Sequence, residues 1–224
     1  MEKTANIKTI SIIGGTGALG TGLARRWARA GYRIIIGSRQ TDKAVNSAAA
    51  LHKDLPDAAF AGLQNRAAAA KGDIVIMTVP FAYQRPTLED IRSELTGKIL
   101  IDTTVPLVPP KVARVQMPAE GCAAVIAQQI VGENVTVVSA FQNVAADLMA
   151  SAAEMDCDVL VAGDKFAARE IVIQLAEQAK FKAWHAGSLA NSAAMEALTS
   201  VLIFINKRYP GSHAGVRMTG IATP

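Results

Sequence analysis

The residues best equipped for chemistry in this sequence are three glycines and a basic corner. Gly15, Gly17 and Gly20 follow the apolar run of residues 10–13 in GxGxxG spacing, and Ser38, Arg39 and Lys43 follow the next apolar run. Gly15 permits a tight turn off a strand. Gly17 has no side chain to obstruct a diphosphate, and Gly20 lets a helix lie close to the sheet. The backbone N–H groups of Gly17, Ala18 and Leu19 then open a helix whose positive end faces anionic oxygen. The chemistry of such a pattern is dinucleotide binding.

The basic corner selects among dinucleotides. A ribose 2′-hydroxyl is ordinarily met by Asp or Glu at the end of the second strand. Here the run ends Gly37-Ser38-Arg39, with no acid before Asp42. A carboxylate would repel a 2′-phosphate, whereas Ser38 donates to it, Arg39 pairs with it and Lys43 adds a third donor. The expected cofactor is NADP(H).

Proton-transfer machinery does not show in the sequence. A Tyr-x-x-x-Lys pair would serve a carbonyl reductase, but Tyr32, Tyr83 and Tyr209 are followed at that spacing by Ile36, Thr87 and His213. His52, His185 and His213 do not cluster, and His185 reads as structural. Cys122 and Cys157 have neither metal nor redox spacing, so no metal site is expected. The acid pairs Glu89-Asp90 and Asp156/Asp158 read as solvated. Hydride transfer between two ring cofactors needs only stacked faces, a short distance and excluded water. Val79, Pro80 and Phe81 are expected to hold the nicotinamide on one side. Pro106, Leu107, Val108 and Pro109 are expected to wall the acceptor ring on the other. No catalytic side chain is assigned.

The elements that must position these residues follow from the apolar pattern. Strands are expected at 10–13, up to Ser38, 73–79, 98–102 and 136–140, with helices after the glycine turn and over 41–55, 83–95 and 120–130. Thr41 is the expected N-cap of the second helix, and Pro56 ends it. Pro106, Pro109 and Pro110 keep residues 103–118 irregular. Such alternation predicts an α/β fold: a Rossmann-type doubly wound, mainly parallel sheet. Its strand ends gather Gly15, Ser38, Pro80, Val105 and Phe141 at one crevice. Beyond it a smaller α/β unit is expected: strand 158–162, helix 165–180, strand 182–185 and a long apolar helix over 188–207. The expected division is residues 1–143 for the NADP-binding domain and 144–224 for the acceptor-pocket wall and dimerisation.

Composition narrows the class. The chain has 224 residues, half of them hydrophobic, and a net charge of +4, enough for one good core. Its start is polar and mixed in charge, unlike a signal or transit peptide. The last helix is interrupted by Glu196, Thr199 and Ser200, too polar to span a bilayer. Basic residues are dispersed and aromatics make up 5%, which argues against nucleic acid. Arg25, Arg26 and Arg29 read as the wet side of the first helix, opposite Leu19, Leu23 and Trp27. The last helix, with its stripe of Leu198, Val201, Leu202 and Ile205, is apolar nearly all round, so a second subunit is its expected cover. A cytoplasmic homodimer with a small-molecule acceptor is the result.

Across most of its length the chain resembles NADPH-dependent reductases of coenzyme F420, the 8-hydroxy-5-deazaflavin. The likeness lies in GGTGALG at 14–20, GSR at 37–39 with Lys43, TVP at 78–80, PLVP at 106–109, VSA at 138–140 and GSLANSAAMEALT at 187–199. The last is the most specific. The resemblance implies a hydride passing between NADP(H) and F420. It places the cofactor on Gly15, Thr16, Gly17, Ala18 and Leu19 and on Ser38, Arg39 and Lys43, with Thr78, Val79, Pro80 and Ala146 completing its contacts. The deazaflavin pocket maps onto Val105, Pro106, Leu107, Val108 and Pro109 and onto Phe141 to Ala146, including Gln142 and Asn143. That last pair departs from the His-Thr of an archaeal member, putting neutral amides beside the acceptor. Two alternatives stand: an NADPH-dependent reductase of a flavin or another small acceptor, and a non-catalytic NADP-binding redox sensor.

Overall fold

The computed structural model describes residues 7–221; the first six residues, read above as part of a polar start, lie outside it, as do the last three. Eight strands form one sheet: β1 (Thr9–Ile13), β2 (Arg33–Ser38), β3 (Phe60–Gln64), β4 (Ile74–Met77), β5 (Ile99–Asp102), β6 (Thr136–Ser139), β7 (Asp158–Ala162) and β8 (Lys182–Gly187). Their order is β3-β2-β1-β4-β5-β6-β7-β8. Every neighbouring pair is parallel except β6 and β7, which meet antiparallel where Ser139 faces Ala162. This is the expected doubly wound sheet, extended by two strands.

Among the described residues seven α-helices complete it: α1 (Ala18–Arg29), α2 (Thr41–Asp54), α3 (Asn65–Lys71), α4 (Phe81–Ile91), α5 (Ala123–Val131), α6 (Phe166–Gln178) and α7 (Ser192–Arg208). Strand alternation sorts them into two layers. Ile10, Ile12, Ile34 and Ile36 pack with α1, α2 and α6 through Leu23, Trp27, Leu51 and Leu175. Ile13, Ile35, Val75 and Met77 face the other way, onto α3, α4 and α5 through Ala68, Leu88 and Ala127. Both faces are covered, which is why the central strands read as unbroken branched runs rather than alternating ones.

Four local expectations are corrected. Arg26 is buried, not on a wet face: it donates to the carbonyls of Met149, Ala153 and Ala179 at 3.2, 3.1 and 2.8 Å and lies 5.3 Å from the Phe181 ring centroid. The Ala179 carbonyl at the end of α6 supplies a negative pole that, with the carbonyls of Met149 and Ala153, takes the place of water. Asp158 is buried too, accepting from Trp184 Nε1 at 2.8 Å and the Met218 amide at 2.7 Å. Gln40, not Thr41, occupies the cap position of α2. Phe141 has φ +70° and turns its ring into the core, edge-on to Trp27 and Phe181 at 5.8 Å each.

The last helix is inverted relative to an ordinary amphipathic one. It buries Ser192, Glu196 and Ser200, while Val201 and Phe204 are 43% and 59% exposed. Of the expected apolar stripe, Leu202 is buried and Val201 is not. Leu189–Arg208 is long and apolar enough to cross a membrane by length and composition alone, as the core helix of a soluble protein can be. In this fold its polar side chains are instead spent on neighbouring segments, as described below.

Candidate functional site

The glycine turn is built by close approach. A Cβ at Gly20 would fall 2.6 Å from Gly15 Cα, so α1 seats against the turn only without one. A Cβ at Gly17 would meet nothing within 4 Å. No protein contact demands glycine there; the bare backbone opens onto free space at the start of α1. That start has no acidic residue in its first turn and no side-chain cap. No acidic or capping side chain of its own first turn therefore meets its N–H groups and positive pole.

Across the crevice, Gly14, Thr16, Ser38, Arg39, Lys43, Val79 and Pro80 line one cavity of about 300 Å³. The sequence-predicted phosphate corner and the end of β4 are thus brought together. Gln40, Asn65, Tyr83 and Thr87 supply the remaining walls; none was expected. No carboxylate is among the walls. The Arg39 guanidinium carbon lies 4.4 Å from the Tyr83 ring centroid, a cation–π contact. Ser38 is buried, and its Oγ accepts from the Gln40 amide at 3.2 Å. Thr78 joins the ends of two strands, its hydroxyl donating to the Ile13 carbonyl at 3.1 Å. A larger opening of about 640 Å³ lies at the other end of the sheet, between α5 and the start of β6, and none of the predicted residues lines it.

The second predicted wall follows β5. Pro106 is buried, Val105 and Leu107 are half-buried, and Val108 and Pro109 are exposed. They do not share the cavity just described. Gln142 and Asn143 are both 7% exposed, with their amide N–H groups engaged inside. Gln142 Nε2 donates to Asp102 O at 2.9 Å and Ser139 Oγ at 2.8 Å. Asn143 Nδ2 donates to Met195 O at 2.8 Å and Thr199 Oγ1 at 3.0 Å. Ala146 is half-buried and begins a 3-10 turn, Ala146–Ala150, packed on α1.

Two buried acids beside this wall escaped sequence reasoning. Asp102 accepts from Gln84 Nε2 at 2.6 Å and the Thr104 amide at 2.9 Å, and burial pushes its carboxyl above the usual range. Burial pushes the Glu196 carboxyl up to about 8 and the Cys122 thiol to about 11. The signal for Glu196 was a lone carboxylate inside an otherwise apolar helix.

Residues 9–106 match the family model described as "NADP oxidoreductase coenzyme F420-dependent". The F420-dependent NADP reductase of Methanocaldococcus jannaschii is 38% identical over 221 residues, covering 95% of this chain and 98% of that one. The chain belongs to the F420-dependent NADP reductase family. A second member, from Methanothermobacter thermautotrophicus, is 38% identical over 96% of each chain. Among solved structures, a hypothetical protein of Sinorhizobium meliloti superposes with a TM-score of 0.69 at 23% identity, over 84% of this chain and 88% of that one. A pyrroline-5-carboxylate reductase of Coxiella burnetii does so at 0.62 and 16%, over 91% and 68%. These two likenesses concern the fold alone.

Proposed function

We propose that this chain transfers a hydride between NADP(H) and the deazaflavin coenzyme F420. One observation carries the reading: an acid-free corner of Ser38, Arg39 and Lys43 shares a cavity with the glycine turn and the end of β4. Its support is a likeness to F420-dependent NADP reductases along 95% of the chain. In this reading Gly15, Thr16, Gly17, Ala18 and Leu19 hold the diphosphate by backbone contact. Ser38, Arg39 and Lys43 hold the 2′-phosphate, and Thr78, Val79, Pro80 and Ala146 flank the nicotinamide end. Val105, Pro106, Leu107, Val108 and Pro109 wall the acceptor, with Gln142 and Asn143 setting the shape of its floor.

In the reducing direction a hydride leaves C4 of NADPH with two electrons and joins C5 of the deazaflavin, and solvent supplies one proton, giving NADP+ and the dihydro coenzyme. The protein's part is to align two rings and keep water from between them. No side chain is asked to exchange a proton.

Residues 144–224 serve as the unit that backs the acceptor wall and carries the subunit contact. The exposed Val201 and Phe204 on a helix that buries its polar groups favour a second copy as their cover. The reading is of a soluble cytoplasmic homodimer. Mixing purified protein with NADPH and oxidised F420 should bleach the deazaflavin absorbance. Tight NADPH binding without bleaching would instead support a redox sensor.

A further inference from the structure

The family-specific run of residues 187–199 takes no part in the cofactor cavity, yet the side chains of Asn191, Ser192, Glu196 and Thr199 within it are all hydrogen-bonded. Glu196 is 1% exposed, and its Oε2 and Oε1 accept from the amides of Ala123 and Ala124 at 2.7 and 3.1 Å. At the start of α5 the cap residue, Cys122, makes no side-chain capping bond. A side-chain carboxyl from α7 thus satisfies N–H groups that every helix start leaves over. Thr199 Oγ1 donates to the Gln142 carbonyl at 3.1 Å and accepts from Asn143 Nδ2. On the sheet side, Gln84 Nε2 donates to both Asp102 Oδ2 and the Ala123 carbonyl, at 2.6 and 3.0 Å. The two ends of segment 103–122 are therefore clasped together, and Glu196 holds the clasp from the other side.

We infer that Glu196 and Thr199 are positioning residues for the hydride acceptor: from α7 they fix segments 103–122 and 142–143, which wall its site. The dinucleotide site is built by other elements and does not depend on them. This rests on the acceptor reading given above. The titratable groups facing Glu196 are Asp102 and Cys122, and no cation among the described residues bonds it. An apolar side chain would avoid the cost of burying a polar carboxyl. What the carboxyl adds is a pair of directed bonds to one helix start.

Steady-state kinetics with F420 and NADPH, alongside calorimetric NADPH binding, separate the two sites. Losing a helix cap corresponds to about a 2- to 30-fold change in an equilibrium. Glu196→Ala should raise the KM for F420 by that factor, with Glu196→Gln, which keeps one acceptor oxygen, in between. Thr199→Val should act in the same direction and Thr199→Ser should restore the wild-type value. NADPH affinity should not change in any of them. Should Glu196→Ala fail to fold, Glu196→Gln and Thr199→Val carry the same comparison. A proportional rise in both KM values, or a lower melting temperature with both KM values unchanged, overturns the inference. A wild type that binds NADPH but does not reduce F420 removes the acceptor reading and this inference together.

Discussion

Replacing Arg39 with alanine probes the basic corner most sharply. Arg39 is exposed and lines the cavity shared with Ser38 and Lys43, its guanidinium carbon 4.4 Å from the Tyr83 ring centroid. Charge-assisted hydrogen bonds contribute about 1.5–3 kcal/mol, so NADPH affinity should fall by roughly 10- to 150-fold. Because the group is open to solvent, the loss should lie toward the lower end and shrink as salt is raised. NADH has no 2′-phosphate and should bind the variant as it binds the wild type. Tyr83→Ala removes the platform and not the charge. An exposed cation–π contact amounts to about 0.5–1 kcal/mol, giving roughly a 2- to 5-fold loss for NADPH. Titration calorimetry with both nucleotides on both variants reads all four numbers. Equal weakening of NADPH and NADH by Arg39→Ala would refute the assignment of this corner to the 2′-phosphate.

Three other outcomes follow from the packing. Arg26→Met takes the side-chain donor from the buried carbonyls of Met149 and Ala179 and from the partly buried carbonyl of Ala153. It should cost about 2 kcal/mol or more, lowering Tm by roughly 4–8 °C in a calorimetric melt; an unchanged Tm would contradict the buried placement. Burial pushes the Glu196 carboxyl up to about 8 from an ordinary 4.5. The folded state thus keeps this proton to higher pH than the unfolded chain, and its stabilising share is full below about pH 4.5 and lost as pH rises toward 8. Glu196→Gln should flatten the fall of Tm across that window. Phe204→Glu should convert a dimer to a monomer in sedimentation equilibrium, and a wild type already monomeric at micromolar concentration would reject the subunit contact.

The sheet was legible because its strands are buried on both faces: residues 10–13, 74–77 and 99–102 read as continuous branched runs, and glycine or proline marks their ends. The phosphate corner was legible because Ser38, Arg39 and Lys43 are neighbours in sequence as well as in space. Tyr83 and Asn65 were missed because they reach the same cavity from α4 and α3, at distances along the chain that no local motif spans. Arg26 was misread because helical spacing locates a face but not what covers it. Here the cover is the turn at 146–150 and the end of α6, brought over by the strands appended beyond β6. Glu196 carried a visible signal, a charge inside an apolar helix, but its partner is a helix start 72 residues away. The antiparallel junction of β6 and β7 left no mark in the hydrophobic pattern, since either strand direction buries the same side chains.

The central claim is direct passage of hydride from one ring to the other, with no exchangeable proton from the protein in the path. NADPH carrying deuterium on the transferring face of C4 should be incubated with the enzyme and oxidised F420 in ordinary water, and the reduced deazaflavin examined by NMR. The account predicts the label at C5 of the product. Label washed into solvent, or a reduced product formed without it, would contradict the account.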